Sequence, residues 1–134
     1  RGEFKHLEYF YFHNCVYERL WRSNARRHAE RFSTWDVLRK YGRDWKAIFV
    51  GDASMAPYEI THVGGSVEHR NDEAGAVWLR RLVDAWPSAA WLNPEREADW
   101  GYIPSINLVR ELMQDRMYPL TVGGLERAVQ ALRR

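Results

Sequence analysis

From residue 45 onward, short apolar runs alternate with stretches in which apolar residues recur every three or four positions, and this alternation restricts the fold more than any other feature. "WKAIFVGD", 45–52, reads as a continuously apolar strand buried on both faces. The segment 71–87 places Gly75, Trp78, Leu79, Leu82 and Trp86 on one helical face, with acids in its first turn and Pro87 at its end. "AAWLNP", 89–94, is a second buried strand, and 104–114 is a helix with Ile106, Val109, Leu112 and Met113 aligned. "MYPLT", 117–121, is a third strand whose Pro119 suits a sheet edge, and 121–134 is a helix aligning Leu125, Val129 and Leu132. Such βα units predict an α/β fold: a doubly wound, mostly parallel sheet with helices on both faces.

The first forty residues are less regular. "HLEYFYFHNCVY", 6–17, is aromatic and poor in helix formers, and predicts a strand. Residues 18–32 carry Arg19, Arg22, Arg26, Arg27, His28 and Arg31, a basic run that reads as a solvated face. "STWDVLRKYG", 33–42, predicts a short helix with a Ser33–Asp36 capping box and Gly42 as its stop.

A chain of 134 residues is one domain on length, and 46% hydrophobic against 28% charged residues describes a globular protein with a real core. Twenty basic and 18 acidic side chains leave +2, too balanced to predict a nucleic-acid or membrane partner. The single cysteine excludes an internal disulfide and fits a reducing, cytoplasmic setting. No apolar run is long enough to span a bilayer. Seven tryptophans and seven tyrosines are many for this size: most read as core, and a surplus is also compatible with a partner surface. The start at Arg1 reads as a processed or truncated chain.

In doubly wound folds ligands bind beyond the carboxyl ends of the strands. Asp52 stands at one such end and Asn93 at another, while Thr34 opens the helix before Asp52's strand. A carboxylate there suits a hard divalent cation, and an Asx turn uses the same residue equally well. Other chemistry finds less. The lysines, Lys5, Lys40 and Lys46, all precede Asp52, which excludes a phospho-receiver arrangement. The two "VGG" stretches, 63–65 and 122–124, lack the Gly-Lys-Ser/Thr of a phosphate loop. The five histidines show no metal-binding spacing. Cys15, beside His13 and Asn14, reads as a small buried hydrophobe. A metal-dependent phosphoesterase, with Asp52 on the metal and His62 or His69 as acid/base, stands as the alternative function.

"FYFHNCVYERLW", "STWDVL", "IFVGDASMAPYEI", "EAGAVWLRRL" and "AAWLNP" together resemble the bacterial von Willebrand factor A (vWA) proteins of the CoxE-like type, often encoded near MoxR-type AAA+ ATPases. The resemblance implies a doubly wound sheet with a metal-ion-dependent adhesion site at its carboxyl edge. That site is built from an Asp-x-Ser-x-Ser loop, a middle-loop threonine and a later aspartate, and an acid from a partner completes the coordination. "DASMA" fits two registers: the Asp-x-Ser-x-Ser loop itself, or the later aspartate. The second accounts for the order of elements on both sides. It makes 1–134 the latter part of a vWA domain whose first strands are missing, with a strand due to lie beside "WKAIFVGD" in mid-sheet. Left uncovered, that strand would expose backbone and apolar surface and favour association. The implied metal residues are Thr34 and Asp52, with Ser54 orienting the carboxylate, and the implied cofactor is a weakly held Mg²⁺ or Mn²⁺. The implied function is non-catalytic: partnering a MoxR-type ATPase in metalloenzyme or complex assembly.

Overall fold

A computed structural model describes residues 7–22, 30–65 and 71–133. The strands are β1 (Arg19–Trp21), β2 (Arg31–Ser33), β3 (Ala47–Val50), β4 (Ala89–Asn93) and β5 (Met117–Pro119). The helices are α1 (Thr34–Lys40), α2 (Tyr58–Thr61), α3 (Gly75–Ala85), α4 (Pro104–Leu112) and α5 (Val122–Leu132). Strands β3, β4 and β5 form a parallel sheet in that order, and β1 and β2 form a separate antiparallel pair. The fold is therefore α/β, a three-stranded parallel sheet flanked by helices, compatible with a Rossmann-like arrangement.

The register explains which residues are inside. Phe49 lies opposite Trp91, which lies opposite Met117, and these residues point into the larger core with Ala89. Trp78, Leu79, Leu82 and Trp86 of the α3 segment and Ile106, Val109, Leu112 and Met113 of the α4 segment are all buried, as their periodicity predicts. On the opposite sheet face, Ala90 and Leu92 pack against Ala128 and Leu132 of α5, with Tyr118 at the margin. The predicted β5 and α5 form where expected. Thr121 caps α5 by accepting a hydrogen bond from the Gly124 amide at 3.0 Å. The buried stripe of α5, however, is Gly124, Ala128 and Leu132, and Leu125 is exposed.

Three expectations change. Residues 7–17 make only isolated bridges, Tyr11 with Trp21 and His13 with Cys15, and not a strand. Asn14 turns the chain at φ 59°, and the consecutive residues Cys15, Val16 and Tyr17 are all buried, which a two-residue alternation does not allow. The Ser33–Asp36 capping box is not made: Ser33 forms no side-chain cap, and Asp36 pairs with Arg39 instead. β3 is not buried on both faces. Ile48 and Val50 are 42% and 52% exposed, because α5 lies over β4 and β5 and stops short of β3.

The aromatic surplus divides between core and surface: Trp21, Trp78, Trp86, Trp91, Trp100, Tyr17 and Tyr41 are buried, whereas Trp35, Tyr9, Tyr11, Tyr58 and Tyr102 are exposed. Of the basic run, Arg26, Arg27 and His28 lie outside the described residues. Arg22 stacks its guanidinium on Phe10 (4.6 Å) and Phe32 (5.2 Å), so it belongs to an aromatic cluster and not to a free charged face. Among the described residues no helix is long and apolar enough to cross a membrane.

Candidate functional site at the carboxyl edge of the sheet

β3 ends at Val50, and the chain then turns through Gly51–Ala56 before α2. This turn is held from beneath by side chains that arrive from far along the sequence. Asn93, fully buried at the end of β4, donates from Nδ2 to the Asp52 carbonyl (2.9 Å) and accepts the Glu95 amide on Oδ1 (2.8 Å). Ser105, fully buried in the first turn of α4, donates to the Ala53 carbonyl (2.7 Å) and accepts the Met55 amide (3.0 Å). The Trp91 indole donates to the Gly51 carbonyl (2.8 Å). Each of these buried polar groups thereby finds a partner, and the loop backbone is fixed at several successive residues.

Ala53 sits at the centre of the loop with φ 55°, a left-handed conformation that costs a non-glycine residue about 1–2 kcal/mol. Its side chain is buried, and the reversal there sends both neighbours outward: Asp52 and Ser54 are exposed. The Ser54 amide donates to Asp52 Oδ1 at 3.0 Å, the contact of an Asx turn. Thus the carboxylate is oriented by the main-chain amide of Ser54. The turn and the site are not exclusive alternatives, since the contact engages one carboxylate oxygen and leaves Asp52 at the surface.

Thr34 lies elsewhere in the hydrogen-bond network. It opens α1 as the sequence indicates, but it is fully buried, and its hydroxyl donates to the Tyr17 carbonyl at 2.5 Å. Its amide donates to the Glu18 carbonyl at 2.8 Å, so the residue ties α1 to the segment before β1. The donated hydrogen bond leaves the hydroxyl lone pairs free, but the side chain is fully buried, so a cation reaches it only if the surrounding segment rearranges. His62, at the end of α2, is exposed and hydrogen-bonds its neighbour Thr61 through Nδ1 at 2.7 Å. His69 lies outside the described residues.

A second polar cluster centres on Glu59, a residue that the sequence analysis does not single out. Glu59, buried on α2, accepts from Asn14 Nδ2 (2.7 Å) and from the Ala56 amide (3.3 Å), and its carbonyl accepts from the Tyr17 hydroxyl. The sequence signal is weak: an acid three positions after a turn residue, with its side chain folded back on the turn. Glu59 thus links the site loop to the 14–17 segment. Near it, burial pushes the Cys15 thiol from 9.0 up to about 12, and the Glu59 charge acts in the same direction. Such a thiol stays protonated and unreactive. Between pH 9.0 and about 12 the unfolded chain releases a proton that the folded chain keeps, so this group lowers stability as pH rises through that window. Alkylation at pH 8 is expected to be blocked in the native protein and to become rapid in urea. Fast stoichiometric labelling of the folded chain would contradict the burial.

Glu73 and Arg81 form a bidentate pair beside α3, with Arg81 4.8 Å from the rings of both Trp35 and Trp78. The guanidinium hydrogen bonds hold the Glu73 carboxyl below its usual range. Among the described residues no cluster of three or more His, Cys, Asp or Glu side chains is arranged to hold a metal ion. No protein-family model, curated protein or solved structure matches this chain.

Proposed function

We propose that this chain is a non-catalytic protein-interaction domain of the vWA type. Its carboxyl-edge loop offers Asp52, and beside it the Ser54 hydroxyl, to a divalent cation shared with an acidic residue of a partner. The observation that carries this reading is the loop itself. Asn93, Ser105 and Trp91 pin its backbone from inside, and strained Ala53 turns Asp52 and Ser54 outward. A rigid backbone that displays two oxygen-bearing side chains at the end of a parallel strand suits capture of a hard cation with open coordination positions. Thr34 would add a third ligand through its hydroxyl lone pairs, with its hydrogen still donated to Tyr17, only if its buried side chain became accessible. In this reading the parallel strands are the later part of a doubly wound sheet, and the partner is a MoxR-type AAA+ ATPase acting in metalloenzyme or complex assembly.

The test is a calorimetric titration with Mg²⁺ and with Mn²⁺, repeated on Asp52→Ala. So few protein ligands predict weak binding, with a dissociation constant on the order of millimolar, and at least about tenfold weaker binding in the variant. Equal heats for the two proteins would refute a cation role for Asp52.

A further inference from the structure

Glu59 is the only buried acid among the described residues, at 6% exposure. Both of its carboxylate oxygens are held there by N–H donors, and neither by a basic side chain. One contact is local. The Ala56 amide donates to Oε2 at 3.3 Å, and the Ala56 carbonyl accepts the Glu59 amide at 2.9 Å, the reciprocal contacts of a capping box at the start of α2. A cap of this kind works at the surface and does not require burial. The second contact is distant: Asn14 donates from Nδ2 to Oε1 at 2.7 Å, from 45 positions away. Tyr17 adds a third hold, its hydroxyl donating to the Glu59 carbonyl. The 14–17 turn therefore grips Glu59 by its side chain and by its main chain. Asn14 takes φ 59°, a conformation that asparagine tolerates better than most residues, and the burial of Cys15, Val16 and Tyr17 seats the turn in the core.

Ala56 ends the loop that displays Asp52 and Ser54. A strained residue such as Ala53 keeps its left-handed conformation only while the structure on both sides holds it. Trp91 and Asn93 hold the leading side, at Gly51 and Asp52, and Ser105 holds Met55 on the trailing side. Glu59 is the anchor beyond Met55, and it ties the end of the loop to the amino-terminal turn. We propose that Glu59 is a positioning residue for the Asp52 loop, and that its bond with Asn14 makes the outward display of Asp52 and Ser54 depend on the seating of the 14–17 turn. The consequence for cation binding rests on the function proposed above. The consequence for loop geometry does not, so it is measured without metal.

Asn14→Asp keeps a residue type that tolerates the left-handed turn and sets a second carboxylate against Glu59. In EDTA, the Met55 and Ala56 amides of this variant are expected to exchange with solvent about tenfold or more faster than in the unsubstituted chain. Its calorimetric affinity for Mn²⁺ is expected to fall about fivefold or more, although added negative charge by itself strengthens cation binding. Adding Glu59→Gln restores the charge of the unsubstituted chain and reverses the bond, with the side-chain amide at 59 donating to the carboxylate at 14. This double variant is expected to recover both slow exchange and affinity. Asn14→Gly removes the donor without backbone cost and is expected to shift both readings in the same direction as Asn14→Asp. Unchanged Ala56 exchange in Asn14→Asp or Asn14→Gly overturns the proposal. So does a double variant no better than Asn14→Asp, because damage that the reversed bond does not repair is misfolding. Faster exchange with undiminished Mn²⁺ affinity overturns it as well, since Glu59 is then a stabilising contact only. If the unsubstituted chain binds no Mn²⁺, the proposed function fails, and the exchange readings still decide whether Glu59 sets the loop.

Discussion

Trp91→Ala is expected to remove about 3–5 kcal/mol of folding stability. Trp91 is fully buried at the middle of β4, the central strand of the parallel sheet. Its ring stacks on Phe49 of β3 (5.5 Å, 19° between planes) and meets Phe12 edge-on at 5.9 Å. It therefore joins the sheet to the irregular amino-terminal segment. Truncation leaves a cavity that neighbours from three separate segments cannot collapse to fill. It also strips the Gly51 carbonyl of its indole donor, where the site loop begins. Trp91→Phe separates the two effects: most of the ring volume stays and the donor goes, with an expected cost of about 1–3 kcal/mol. Urea unfolding of the three proteins, with the two-state slope checked, measures both. A loss below about 1 kcal/mol for Trp91→Ala would mean that the sheet is not centred on this residue.

Gly123 and Gly124 are expected to respond to alanine with opposite signs although they are adjacent in the first turn of α5. A Cβ on Gly124 would lie 1.8 Å from the Pro119 carbonyl oxygen and 2.8 Å from its carbon. Backbone cannot move aside as a flexible side chain can, so α5 has to lift from β5. Lifting disturbs the Thr121 cap and the packing of Ala128 and Leu132 on Ala90 and Leu92. The expected cost of Gly124→Ala is about 2–3 kcal/mol. A Cβ on Gly123 meets nothing within 4 Å, so Gly123→Ala only removes backbone freedom from the unfolded chain. It is expected to gain about 0.5–1 kcal/mol. Thermal or urea unfolding of the pair reads the sign directly. Equal effects at the two sites would show that α5 does not rest on β5.

The contrast between these glycines separates what is written locally from what is not. "VGG" is symmetrical on paper, and only the closeness of α5 to Pro119 distinguishes its two glycines. The buried faces of α3 and α4, the continuous burial of β4 and the presence of a helix after β5 follow from apolar runs and periodicity. These properties are set by residues a few positions apart. The same holds for the placement of Asp52 at a strand end. How that end is built is not legible in the sequence, because Asn93 and Ser105 lie 41 and 52 positions from the carbonyls they hold.

Residues 7–17 show the limit most directly. Their aromatic composition suits a strand, yet a strand needs a neighbour along its edge. Here the segment finds core pockets for Phe10, Phe12 and Cys15–Tyr17 instead of a continuous partner. Thr34 reads in sequence as facing a ligand, but its side chain is fully buried and its hydroxyl donates to the Tyr17 carbonyl, a contact that local sequence does not encode. β3 is the remaining case. By itself the sequence determined that this run is apolar and extended, because hydrophobicity and β-branching act within the strand. Only the tertiary structure decided that Ile48 and Val50 face outward, because one sheet face is covered only as far as α5 reaches, and α5 packs on β4 and β5.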